Sequence, residues 1–103
     1  MLIDSHTHID FPIFDDDRDQ VIARAREQGV RAIINMGLDI ESSRVSLRIA
    51  QHEPDIFTAV GFHPTRASKM AEGDLNLLAE LAKDSKAVAI GEIGLDFYRK
   101  LSP

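Results

Sequence analysis

Four short apolar runs, each followed by a polar segment and then an amphipathic one, limit what this chain can fold into. The runs are Met1 to Ser5, Val30 to Met36 (VRAIINM), Ile56 to Val60 (IFTAV) and Ala87 to Ile90 (AVAI). They recur roughly every 25–30 residues, the period of a strand–helix–strand unit. They are apolar on both faces, as strands are when helices cover both sides of a parallel sheet.

Between the runs the period changes to that of a helix. Asp15 to Gln28 carries a stripe of Val21, Ile22 and Ala25. Asp17 is a candidate N-cap with Gln20 three residues on, a capping-box arrangement, and Gly29 is a natural terminator. Glu41 to His52 puts Val45 and Ile49 on one face, with Pro54 beyond its end. Asp74 can cap a third helix whose Leu75, Leu78, Leu81 and Ala82 share a face. Strands alternating with helices over short connections predict an α/β fold of parallel βα units. At 103 residues, with no linker and no low-complexity segment, one domain is expected.

In such a fold the loops after the strands emerge on one side, where ligands bind. The first strand leads into His6, Thr7, His8 and Asp10, and the second into Gly37, Leu38 and Asp39. The third leads into Gly61, Phe62, His63 and Pro64, and the fourth into Gly91, Glu92, Gly94 and Asp96. Three of the four histidines therefore converge on one rim. The fourth, His52, fits a solvated helix end favoured by the helix dipole.

Strand side chains alternate between faces, so His6 and His8 point the same way if the strand runs through them. Such a pair can present two imidazoles to one metal ion. Asp4 shares their parity and can orient one of them. Alone, the pair is equally well explained by two half-buried histidines bonded to backbone. Glu92 shifts the balance, because an unpaired carboxylate at the end of a buried strand is costly. An ion pair with Arg99 is its structural alternative, but Gly91 and Gly94 allow a crowded site. A metal site of His6, His8 and Glu92 is expected.

His63, in GFHP, can be a ligand, a proton donor, a phosphate contact or a capping residue held by the turn before Pro64. Asp96 is explained equally well as a site residue or a turn former. The run Asp15, Asp16, Asp17 is expected to be a solvated helix start. Asp10 lies near the rim with no assigned role.

The net charge of −5 argues against a basic groove that holds nucleic acid by phosphate neutralisation alone. A nucleic-acid substrate would need local help, such as bound cations. The absence of cysteine excludes disulfides and zinc–thiolate sites. No basic start precedes an apolar run, so no signal peptide, no membrane segment and a cytoplasmic location are expected.

Taken together, three segments resemble the TatD family of metal-dependent deoxyribonucleases. LIDSHTHID is similar to that family's N-terminal signature, GFHP to its histidine-proline turn, and VAIGEIGLDFY to its glutamate segment. Their order and spacing are family-like and cover the whole chain. The wider amidohydrolase-like group shares the paired histidines but lacks GEIGLD.

The resemblance implies a TIM (β/α)8 barrel. Residues 1–103 would be the first half of that hydrolase domain, with about four strands and three helices, stopping just after the fourth strand, since a barrel takes about 250 residues. It implies divalent metal ions, two in the complete enzyme, with Mg, Mn or Zn as candidates. His6 and His8 would bind one, and Glu92 would bridge. His63, Asp4 and Asp96 would serve as substrate-binding or supporting residues.

The implied chemistry is 3′–5′ exonuclease-like hydrolysis of phosphodiester bonds, on DNA or a small phosphoester. Further histidines and an aspartate of the family's site fall outside these residues, so no catalytic residue is assigned, and 103 residues alone are expected to be incomplete for catalysis. The alternatives are another amidohydrolase-like metal hydrolase, or a non-catalytic half-barrel that binds a partner. Open first and fourth strands would invite self-association or a partner chain.

Overall fold

A computed structural model describes residues 1–103. Strand β1 spans Leu2–Thr7, β2 Val30–Met36, β3 Ile56–Val60 and β4 Ala87–Ile90. Helix α1 spans Arg18–Glu27, α2 Ile40–His52 and α3 Asp74–Leu81, and short 3-10 helices cover Pro12–Phe14 and Pro64–Lys69. The sheet order is β1-β2-β3-β4, and every neighbouring pair is parallel. Parallel neighbours need a crossover, and the helices supply it. The result is the α/β architecture of parallel βα units that the alternating pattern predicts, and it agrees with the first half of a TIM barrel that the resemblance implies.

The core lies between the sheet and its helices. Ile9, Ile22, Ile33, Ala50 and Ile56 form one cluster, and Val60, Phe62 and Leu78 a second. Helix α2 buries Ser43, Ser46, Leu47 and Ala50 rather than centring on Val45 and Ile49, which lie at the margin. Three of those four buried residues are small, so the helix sits close to β3. In α3, Leu78 is buried while Leu75 is 71% exposed, because nothing covers the first turn on that side.

Helix starts differ from the sequence expectation for local reasons. Asp17 makes no capping bond and α1 begins at Arg18. The Arg18 guanidinium reaches back to the carbonyls of Ile9, Asp10 and Phe11 and to the Asp15 carboxylate, so a side chain from inside the helix organises this turn. Gly73, at φ +89°, caps α3, and Asp74 is its first residue. The Asp74 carboxylate accepts the Ala71 N–H and supports the preceding turn. The full capping box occurs at α2, where Asp39 and Ser42 bond each other's backbone N–H at 2.8 and 3.1 Å.

Both outer strands are open. Leu2 and Ile3 on β1 and Val88 and Ile90 on β4 are all at least half exposed. No helix is long and apolar enough to cross a membrane.

Candidate metal centre

The centre is built where β1 and β4 end. Strand β1 runs two residues further than the apolar run suggests, to Thr7, and so carries His6. What fixes its end is Asn35 of β2, whose side chain is fully buried. Asn35 Oδ1 accepts the Ile9 N–H at 2.7 Å and the Thr7 hydroxyl at 3.0 Å. Its Nδ2 donates to Asp10 Oδ1 and to Ser46 Oγ, both at 2.8 Å. A buried amide with every group partnered holds its neighbours in one arrangement. His8 lies between two of the anchored residues.

Glu92 is placed by backbone contacts. Gly91 N–H donates to Val60 O and Glu92 N–H to Gly37 O, each at 2.9 Å. A Cβ at Gly61 would meet the Gly91 carbonyl group at 2.8 Å, so β3 and β4 close together only because that position has no side chain.

Three imidazoles then face one carboxylate. His6 Nε2 lies 3.3 Å and His8 Nε2 3.6 Å from Glu92 Oε2, and His63 Nε2 lies 3.2 Å from Glu92 Oε1. The rings of His6 and His8 meet edge to face at 5.1 Å. His8 stacks on Phe11 at 4.7 Å and 17°. His8 Nδ1 is buried without a hydrogen-bond partner, so the stack, not a hydrogen bond, sets that ring's orientation.

The two halves of Glu92 differ. His63 Nδ1 accepts the Thr65 N–H at 3.0 Å. In a neutral ring the proton then sits on Nε2, which faces Glu92 Oε1 at 3.2 Å. His63 is thus both the cap of the Pro64–Lys69 helix and a partner of Glu92. Oε2 is left to His6 and His8.

The ligand atoms of His6, His8 and Glu92 all lie within 4.8 Å of one another. A four-coordinate ion with bonds of about 2.1 Å separates its ligands by roughly 3.4 Å. The His6–Glu92 and His8–Glu92 separations of 3.3 and 3.6 Å bracket that value. Two imidazole nitrogens and a carboxylate oxygen suit zinc, manganese or magnesium with differing ease. The residues fit a divalent ion.

The other sequence candidates are spread around this cluster. Asp4 Oδ1 accepts the backbone N–H of His6 at 3.2 Å, so it orders the strand rather than an imidazole. Asp96 stands outside the ligand cluster and accepts the backbone N–H groups of Tyr98, Arg99 and Leu101 at 2.8–3.1 Å. Desolvation is the largest single influence on its carboxyl and pushes it up, but these backbone N–H groups together outweigh it and hold it below the usual carboxylate range. Arg99 bonds through its backbone to Asp96 and does not pair with Glu92. Arg66 pairs with Asp39 at 2.6 Å on the same rim. Burial raises the Asp39 carboxyl, yet the Ser42 N–H and Arg66 bring it below the ordinary value. His52 bonds Arg48 O at the end of α2, as expected of a helix-end residue.

Sequence reasoning missed Asn35 and left Asp10 unassigned. The available signal was one amide inside VRAIINM, since a polar group in a buried strand needs partners.

The TatD related DNase family model matches residues 3–103. The chain is 37% identical over 103 residues to the uncharacterized metal-dependent hydrolase YabD of Bacillus subtilis, covering all of this chain and 40% of that protein. It is 42% identical over 90 residues to the 3′-5′ ssDNA/RNA exonuclease TatD of Musicola paradisiaca, covering 86% of this chain and 34% of that one. The crystal structure of YJJV, a TatD homolog from Escherichia coli, superposes with a TM-score of 0.85 at 34% identity, over 96% of this chain and 39% of the other. A TatD family hydrolase from Entamoeba histolytica superposes with a TM-score of 0.85 at 28% identity, over 93% and 38%. The chain thus spans between about a third and two fifths of the length of these relatives.

Proposed function

Since this chain belongs to the TatD related DNase family, we propose that it supplies the metal-binding half of an enzyme that hydrolyses phosphodiester bonds in DNA from the 3′ end. The observation that carries the reading is the convergence of His6, His8 and His63 on Glu92. The name of the Musicola relative, a 3′-5′ ssDNA/RNA exonuclease, points to the same chemistry.

Each residue has a role in this reading. His6 and His8 would hold a divalent ion, and Glu92 would complete the set as a bridging carboxylate. His63 keeps Glu92 oriented and stands beside the substrate phosphate. Asp4 and Asp96 support the strand and the loop that flank the site. Divalent ions, two in the whole protein and drawn from Mg, Mn or Zn, would when bound supply Lewis acidity and activate a water for attack. They also offset the −5 charge of this chain toward a polyanionic substrate. The activity belongs to the complete protein, in the cytoplasm, and not to these 103 residues by themselves.

The test is digestion of 5′-labelled single-stranded DNA by the full-length protein with added Mn²⁺, Mg²⁺ or Zn²⁺. A ladder shortening from the 3′ end, abolished by EDTA and reduced at least a hundredfold by His6→Ala, is expected. Metal-dependent cleavage of amides or lactones with DNA left intact would sink the nuclease reading and favour a broader amidohydrolase-like role.

A further inference from the structure

A cleft of about 320 Å³ opens beside Glu92, and its lining is chemically mixed. Glu92 and His63 belong to the metal centre, Phe11 and Leu38 offer apolar surface, and Arg66 and Arg99 bring positive charge. The two arginines are not equivalent. Arg66 is committed to Asp39 at 2.6 Å. Arg99 bonds only through its backbone N–H, to Asp96 at 2.8 Å, which leaves its guanidinium as the uncommitted cation of the cleft. Asp96 also takes the N–H groups of Tyr98 and Leu101, so the turn presenting Arg99 is tied on both sides of it.

Phe11 is the second half of the argument. One face of its ring lies on His8. The residue keeps 36% of its surface exposed and lines the cleft, where a second flat group can meet it. A planar platform and a free guanidinium in one small cleft match a base and its phosphate. Aromatic side chains stack bases of any identity, and arginine takes phosphate through its fork of donors. The volume is near the lower limit for small-molecule sites, which suits one nucleotide and not a duplex. A base inside a duplex has both faces covered by its neighbours, so only an unpaired, unstacked nucleotide can use Phe11.

We infer that this cleft is a subsite for a single unstacked nucleotide, with its base on Phe11 and its phosphate on Arg99. The inference rests on the nuclease reading and adds to it the residues that choose a single-stranded end. It also gives Phe11 two partners, His8 on one face and substrate on the other, so that base binding and the orientation of one ligand ring are linked through one side chain.

The experiment is binding without cleavage, read by fluorescence anisotropy of the full-length protein in EDTA. The probes are a short 5′-labelled oligo-dT and the same oligonucleotide lacking only its 3′-terminal base. Wild-type protein binds the complete probe about tenfold more tightly, within the range of one base–aromatic stack. Phe11→Leu removes that preference and Phe11→Trp keeps it. Arg99→Gln weakens both probes and lowers the slope of log K against log salt by about 0.7, one phosphate contact on a single strand.

Equal binding of the two probes by wild-type protein overturns the subsite whether or not the protein cleaves DNA. A Phe11→Leu protein that keeps the preference, or an Arg99→Gln protein with an unchanged salt slope, overturns the respective assignment. Selective binding by a protein that never cleaves DNA would count against the nuclease reading alone.

Discussion

Asn35 Nδ2 donates to Asp10 Oδ1 at 2.8 Å, tying the middle of the sheet to the loop that follows the paired histidines. The same amide serves Thr7, Ile9 and Ser46. Asn35→Ala therefore orphans several groups, of which the Ile9 N–H and the Ser46 hydroxyl are buried. Each costs about 1–3 kcal/mol, and compensation among them brings the expected loss to about 3 kcal/mol. Urea denaturation of the full-length protein reads this directly. Divalent-ion affinity, by calorimetric titration, should fall about tenfold, the lower end of the effect of losing a supporting contact. Unchanged stability would mean that the network is not what anchors the end of β1.

At the opposite end of the sheet, Arg26 of α1 grips Asp55 with two hydrogen bonds, at 2.8 Å to Oδ2 and 2.7 Å to Oδ1, and also contacts Glu53. The bond from Arg26 holds the Asp55 carboxyl below its usual range, and the same pair raises the Arg26 guanidinium. A carboxyl depressed on folding contributes stability that is full above its unfolded value, about 3.9, and is lost as pH falls through the folded value. Wild-type protein should accordingly be more stable than Arg26→Met at pH 6, with the gap closing below about pH 4. Chemical denaturation at a series of pH values checks this. A gap independent of pH would assign the difference to lost packing of the arginine stem.

The open strands carry a prediction of their own. Leu2, Ile3, Val88 and Ile90 leave β1 and β4 as exposed apolar edges with free backbone groups. Such edges pair with whatever strand they meet. Residues 1–103 produced alone should elute from a size-exclusion column as a dimer or larger species, or populate a partly folded state by far-UV and near-UV circular dichroism. Lysine at Ile3 and Val88 should shift the elution toward monomer. A compact, soluble monomer of the unaltered segment would contradict this.

Much of the fold was legible because parallel strands between helices have a strong signature. The bounds of β2, β3 and β4 follow directly from VRAIINM, IFTAV and AVAI. Helix starts were less legible, since they were decided by side chains reaching from elsewhere. Arg18 organises the turn that Asp17 was expected to cap, and Gly73 supplies a left-handed residue where Asp74 was expected. The metal-site candidates His6, His8 and Glu92 were visible as residue types at strand ends, and the structure brings them together. For His63 the capping role is seen at Nδ1, while Nε2 faces Glu92, an arrangement the turn before Pro64 did not reveal. Asn35 was hidden for a simple reason: one amide in an apolar run has no periodicity to betray it.

A flat sheet with strands about 4.8 Å apart would hold β1 and β4 roughly 14 Å from each other. They are not neighbours in the sheet, yet His6 Nε2 and Glu92 Oε2 stand 3.3 Å apart. Glu92 lies beyond the end of β4, and its N–H bonds Gly37 O after β2, so the chain turns back across the end of β3 before the carboxylate reaches His6. Nearly the whole chain lies between these two residues, and their contact needs β1, β2 and β4 all in place. A contact of such long sequence separation is the natural place to look for the last one made as the chain folds.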